Sequence, residues 1–194
     1  MTIILRPPFN SLDALPLVGA LAVTDSINST LDIEAKVRWP NDVVVRKRKI
    51  AGTLAEMKFA GDSLLYALLG IGMDVNFHAN AIRTAQPAGT TLLDELGSPV
   101  DREALVCSLL KQFERIYHMA ASRREKELMH LLNQLDCSRG ESVKVGVGDE
   151  ELSGVFEGYD SLTRVRIATT KGGLVHLETN SVQAVEYTNV SNDN

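Results

Sequence analysis

Cysteine, tryptophan and aromatic side chains are all scarce: two Cys, one Trp and 5% aromatics in 194 residues. Cys107 and Cys137 are too few and too far apart for a disulfide framework or a zinc site, so core packing must hold the fold. Cys107 lies in an apolar helical stretch and is expected to pack inward. No apolar run reaches bilayer-spanning length and no secretory leader is seen, so the expected compartment is the cytoplasm and no membrane partner is expected. Basic residues do not dominate either. Twenty Lys and Arg against 25 Asp and Glu give a net charge of −5, which argues against general nucleic-acid binding and makes any basic site local. A hydrophobic share of 44% with 23% charged residues suits an ordinary globular chain of one domain plus an appendage, or two unequal domains.

Periodicity divides the chain. Residues 2–6 read as a strand, broken by Pro7-Pro8, with Asn10 or Ser11 placed to cap a helix over 15–31, where Leu17, Val18, Leu21, Ala22 and Ile27 recur at helical spacing. A hairpin closes at Gly61-Asp62 and returns as Ser63 to Ile71, apolar on both faces from Leu64 to Leu69, as a central strand of a covered sheet would be. Residues 77–90 are loop-like and Thr90 to Leu93 opens a short helical piece. Ser98-Pro99-Val100-Asp101 reads as a helix start with Ser98 as cap. The helix it opens carries Leu105, Val106, Leu109, Leu110, Phe113, Ile116 and Tyr117 as an apolar stripe. A further helix turns Leu128, Leu131, Leu132 and Leu135 inward. His118 and His130 have no ligand-spaced partner and read as packing or surface residues. From Arg139-Gly140 the period becomes alternating, with Val143, Val145 and Val147 between polar residues and short strands ending near Tyr187. The expected units are 1–137, a small β unit at 138–188, and a disordered polar tail at 189–194.

The chemistry concentrates between Arg38 and Glu56. Pro40 biases Trp39 toward an extended conformation and leaves Asn41 and Asp42 in a turn. Val43-Val44-Val45 reads as a buried strand and Ile50 to Leu54 as its partner, with Arg46-Lys47-Arg48-Lys49 as the hairpin tip and exit. Carboxylate, amide and ammonium then surround a small space in which Gly52 admits a ligand to the backbone, a set suited to phosphate and metal chemistry. On residue types alone, the alternative is a solvated basic tip and a tryptophan buried in the core.

Trp39-Pro40-Asn41-Asp42, then Lys49-Ile50-Ala51-Gly52, Glu56 and the Gly70-Ile71-Gly72-Met73-Asp74-Val75-Asn76 strand end closely resemble the ordered motifs of biotin protein ligases. The resemblance extends over essentially the whole chain. It implies an α+β fold of the class II synthetase/biotin ligase kind: a mixed, mostly antiparallel sheet with helices packed on it, followed by an SH3-like barrel. It implies ATP, Mg²⁺ and biotin as ligands, biotinyl-5′-AMP as intermediate, and a lysine of a biotin carboxyl carrier domain as acceptor. By position, Lys49 corresponds to the lysine that contacts the biotin carboxylate and adenylate phosphate, Asp42 to the acid near Mg²⁺ and triphosphate, and Asn41 to the amide beside it. Trp39 corresponds to an aromatic wall of the nucleotide pocket, Gly52 to the close-approach glycine, Thr53-Leu54 to the strand lining the ligand, and Gly70 and Gly72 to glycines under the adenylate.

Three departures stand out. Arg38 occupies a position where the family has Lys, and its planar fork need not reach the same place. Asp74 replaces an Asn that both accepts from and donates to adenine; a carboxylate cannot donate to a ring nitrogen unless protonated, and Asn76 is the residue expected to substitute in part. The family's Ser-Thr element and Gly-Arg-rich loop are not found before Met1. The expected function is therefore a biotin protein ligase that needs a partner chain carrying that loop. The alternative is a non-catalytic binding or regulatory protein of the same fold, and a lipoate ligase-like protein is a weaker third reading. Self-association is left open.

Overall fold

The computed structural model describes residues 1–7, 12–122 and 124–188. The helix-capping role expected of Asn10 or Ser11, and the disorder expected of residues 189–194, lie outside the described residues. Two five-stranded antiparallel sheets with helices against the first make an α+β fold.

The first sheet has the order β1 (Thr2–Leu5), β5 (Ser63–Met73), β4 (Arg48–Ala60), β3 (Asp42–Val45), β2 (Ala35–Arg38). Every paired strand is antiparallel, and parallel pairing is confined to two isolated bridges among the described residues. Helix α1 (Leu15–Thr30) covers one face and is buried on nearly all sides, because, after the short α2 (Leu92–Leu96), α3 (Arg102–Ala121) and α4 (Glu125–Leu135) pack on it from outside. Gly19 permits the close approach: a Cβ there would lie 3.2 Å from Leu69 and Thr53. The buried Thr53 hydroxyl donates to the Pro16 carbonyl at 2.6 Å, tying the helix entrance to the sheet and satisfying a polar group that would otherwise cost stability.

The opposite face is open, which corrects the expectation that β5 is covered on both sides. Ile4 is 64% exposed and Leu54 60% exposed, and Leu65 also faces solvent. The helix expected from Ser98 begins at Arg102 instead, because the Asp101 carboxylate accepts from the amides of Glu103 and Ala104 and caps it. Leu105, Leu109, Phe113 and Ile116 are buried as expected, whereas Val106, Leu110 and Cys107 are exposed, so Cys107 does not pack inward.

The second sheet has the order β10 (Val182–Tyr187), β6 (Ser142–Val147), β7 (Glu150–Ser161), β8 (Arg164–Thr169), β9 (Leu174–Glu178), and its strands are consistent with an SH3-like unit. Val143, Val145, Phe156, Val165 and Ile167 form its buried face and join the core of the first sheet in one contiguous cluster. The linker passes along β2: the Cys137 amide donates to the Val37 carbonyl at 2.9 Å, partly covering that edge. Among the described residues no helix is long and apolar enough to cross a membrane.

Candidate functional site

A β-bulge builds the site. Asp42 pairs with Gly52 and Val43 with Ala51, but Val44 pairs with Lys49, leaving Ile50 as the extra residue in β4. Strict alternation would put Lys49 on the α1 face with Ala51 and Thr53. The bulge instead buries both Ile50 and Ala51 and brings Lys49 to the open face, beside Gly52 and Asp42. The Lys49 ammonium meets Asp42 Oδ1, and Arg38 holds Asp42 Oδ2 at 3.0 Å. The Lys49 side chain crosses directly above Gly52, where a Cβ would lie 3.2 Å from its Cε and 3.3 Å from its Nζ. At 34% exposure, the Lys49 side chain is both held and accessible.

Around this pair lies an open pocket of about 470 Å³, with Gly52, Gly70 and Gly72 as its floor and Asn41, Leu54 and Met1 at its margin. The register sets Gly52 opposite Gly72 and Leu54 opposite Gly70, so three adjacent positions present bare main chain to a ligand. The Asn41 amide donates to the Thr53 carbonyl, and the Thr53 amide returns a hydrogen bond to the Asn41 carbonyl at 3.1 Å, fixing the turn against β4. Thr53 contributes main chain only, since its side chain points to α1.

The rest of the basic run is committed elsewhere. Arg46 and Lys47 adopt φ of +48° and +64°, the left-handed pair of a two-residue hairpin turn, and Arg46 and Arg48 both pair with the buried Glu95. Lys47 reaches Glu141 at 3.0 Å. The tip is thus an anchored structural corner, and Lys49 alone of the four enters the pocket.

Asp74 lies behind Lys49. Burial pushes its carboxyl up from the ordinary value, opposed by Gln86 and by the Lys49 charge. Gln86 escaped the sequence reading: its amide donates to the Lys49 carbonyl at 3.1 Å, and the Thr90 amide does so at 2.8 Å, so the 77–91 loop fastens the lysine's backbone. No local pattern marks such a residue, because its partners are main-chain atoms far away in sequence. Asn76 is bonded away from the pocket. Its amide bonds the Val100 carbonyl and amide, both at 2.8 Å, and is spent on joining this loop to α3.

Trp39 packs at the seam between the two sheets. It is wholly buried, with its ring 5.3 Å from Phe156 of the second sheet, and offers adenine no surface here. The tryptophan is thus packed in the core, while Lys49 lines the open pocket.

Among the described residues no cluster of three or more His, Cys, Asp or Glu side chains is arranged to hold a metal. Asp42 is a single carboxylate with each oxygen already against a cation. Such a donor set does not make a resident Mg²⁺ site.

The two antiparallel sheets with helices against the first share their fold with solved biotin protein ligases. The biotin protein ligase from Aquifex aeolicus, solved in complex with biotin and ATP, superposes with a TM-score of 0.81 at 24% identity over 96% of this chain and 77% of that one. A biotin protein ligase-like protein of unknown function from Silicibacter shares the fold at a TM-score of 0.76 and 13% identity, over 94% of this chain and 80% of that one. In sequence, residues 8–74 match the biotin/lipoate A/B protein ligase family. The bifunctional ligase/repressor BirA of Bacillus subtilis is 32% identical over 120 residues, 60% of this chain and 37% of that protein, so the chain spans little more than a third of this relative's length. The biotin–[acetyl-CoA-carboxylase] ligase of Paracoccus denitrificans is 28% identical over 165 residues, 82% of this chain and 69% of that protein.

Proposed function

We propose that this chain forms biotinyl-5′-AMP from biotin and ATP and passes the biotinyl group to a lysine of a carboxylase carrier domain. The observation that carries the reading is the Lys49–Asp42 pair laid over Gly52 beside a glycine floor. In the first step a carboxylate oxygen attacks the α-phosphorus, the bond to the β-phosphate oxygen breaks, and pyrophosphate leaves. Two anions must meet, and charge builds on the phosphate as they do, so a cation aimed there stabilises the transition state. Lys49 supplies it as a mobile ammonium, Asp42 keeps it aimed, and Arg38 orients Asp42. In the second step the acceptor amine attacks the acyl carbon and AMP departs.

The bare main chain of Gly52, Gly70 and Gly72 lets the acyl phosphate lie close to the sheet. Mg²⁺ would arrive on the ATP phosphates, with Asp42 as its nearest carboxylate, and no step is assigned to it. The open face exposes the mixed anhydride to water, so a further polypeptide segment, on a partner chain carrying a Gly-Arg-rich loop, is proposed to close the pocket. The domain division at 137/138 and work in the cytoplasm belong to the same proposal.

Biotin-dependent ATP–pyrophosphate exchange, run with and without cell extract, tests this. Exchange alone or only with extract supports a ligase, in the second case one completed by a partner. No exchange in either leaves the non-catalytic binding protein.

A further inference from the structure

The residue that opens the Pro40-Asn41-Asp42 turn is gripped from the far end of the chain. The Trp39 amide donates to the Ser138 hydroxyl at 2.7 Å, and the Trp39 carbonyl accepts from the Tyr187 hydroxyl at 2.8 Å. These bonds hold the two peptide groups on either side of the Trp39 Cα, which fixes the direction in which the chain enters the turn. Pro40 has no amide, so the turn cannot recruit a ladder hydrogen bond at that position instead. One residue earlier, the Arg38 guanidinium stacks 5.1 Å from the centre of the Tyr187 ring while donating to Asp42 at 3.0 Å. Tyr187 thus touches the supports of Asp42 twice, through its hydroxyl and through its ring.

Packing alone would not need this arrangement. The seam between the sheets is already filled by the Trp39 ring against Phe156. The Ser138 and Tyr187 hydroxyls add no apolar contact; what they add is direction. Burial holds the Tyr187 hydroxyl protonated far above neutral pH, so it remains a donor throughout the working range.

We propose that Ser138 and Tyr187 are positioning residues for the Lys49–Asp42 pair: the C-terminal unit clamps Trp39 and Arg38, and so sets the Asp42 carboxylate against the Lys49 ammonium. The catalytic meaning of this clamp rests on the ligase reading above.

Hydrogen–deuterium exchange on the full chain tests the clamp without needing activity. Tyr187→Phe keeps the ring, and with it the Arg38 stack and the seam, and deletes only the hydroxyl. Exchange in peptides covering 37–45 and 49–54 should quicken about fivefold, the factor that one net hydrogen bond corresponds to, while α3 and β7 stay as in the wild type. Ser138→Ala should act on the same peptides. Unchanged exchange at 37–45, or an equal rise in every element, would overturn the proposal, the second result marking a merely structural hydroxyl. Biotin-dependent pyrophosphate exchange then reads the consequence: in Tyr187→Phe kcat should fall about fivefold with KM for ATP and biotin held, and wild-type kcat would overturn the catalytic role. A wild type without exchange under any condition would sink the ligase reading and the clamp's catalytic sense with it. The deuterium result would still decide whether Tyr187 orders the turn.

Discussion

Gly52→Ala separates the fold from the chemistry. The added methyl would stand 3.2 Å from Lys49 Cε, 3.3 Å from Nζ and 3.5 Å from Asp42 Oδ1. Ordinary carbon–carbon contact begins near 3.5–4.0 Å, so the lysine tip must retreat by roughly half an ångström. The tip is a flexible end and no main-chain atom is struck, so it swings outward and the strand stays put. Alanine also restricts the unfolded chain, worth about 0.4–1 kcal/mol in favour of the fold, against at most about 1 kcal/mol for weakening a partly exposed ion pair. The melting temperature should therefore move by no more than about 2–4 °C. Catalysis has no such slack: a misplacement of about 1 Å can cost a hundredfold, and a loss of about tenfold or more in kcat for biotinyl-adenylate formation is expected. Gly70→Ala is the control, because its methyl would meet only the Leu54 carbonyl at 3.6 Å and leave Lys49 in place. It should raise KM by crowding the floor. Wild-type kcat in Gly52→Ala, or a loss of several kcal/mol in stability, would show that the glycine serves something other than the path of Lys49.

Other outcomes follow from the same geometry. Trp39 is the only tryptophan, so its fluorescence reports the seam: acrylamide should quench it weakly and ATP should leave its emission unchanged, whereas strong quenching by ATP would restore an adenine-stacking role. Asp74→Asn should tighten ATP binding in a calorimetric titration if position 74 reads the base; equal or weaker affinity would remove that assignment. Asp136 is raised above its ordinary value of 3.8, chiefly by burial, so the folded state prefers it protonated. Its contribution is then fully present below the unfolded value and lost as pH rises through the higher folded one. Asp136→Asn should gain stability relative to wild type as pH climbs from below 3.8, measured by urea unfolding at a series of pH values, and a pH-independent difference would contradict this.

The elements were largely legible because both periods are clean: alternating valines announce β6, and the Leu105–Phe113 spacing announces α3. What escaped was anything decided by parity or by distant main chain. Lys49-Ile50-Ala51-Gly52 alternates ambiguously, and only the three-dimensional register shows Ile50 as the bulged residue that turns the lysine outward. Trp39 and Asn76 sit within signature motifs, yet the first is drawn into the seam by Phe156 and the second is consumed by Val100. Ser98-Pro99 reads as a helix start by residue type, but it is the Asp101 carboxylate that reaches two amides and caps the helix. Ser138 and Tyr187 carried no signal, since a hydroxyl serving one carbonyl or amide a hundred residues away leaves no pattern in sequence.

The most direct test of the central claim is mass-spectrometric detection of biotinyl-5′-AMP after incubating the protein with biotin, ATP and Mg²⁺, with extract added if required, for wild type and Lys49→Ala. The Lys49–Asp42 site predicts an adenylate peak in the wild-type reaction and none above background in the variant. An equal peak from both proteins would contradict it.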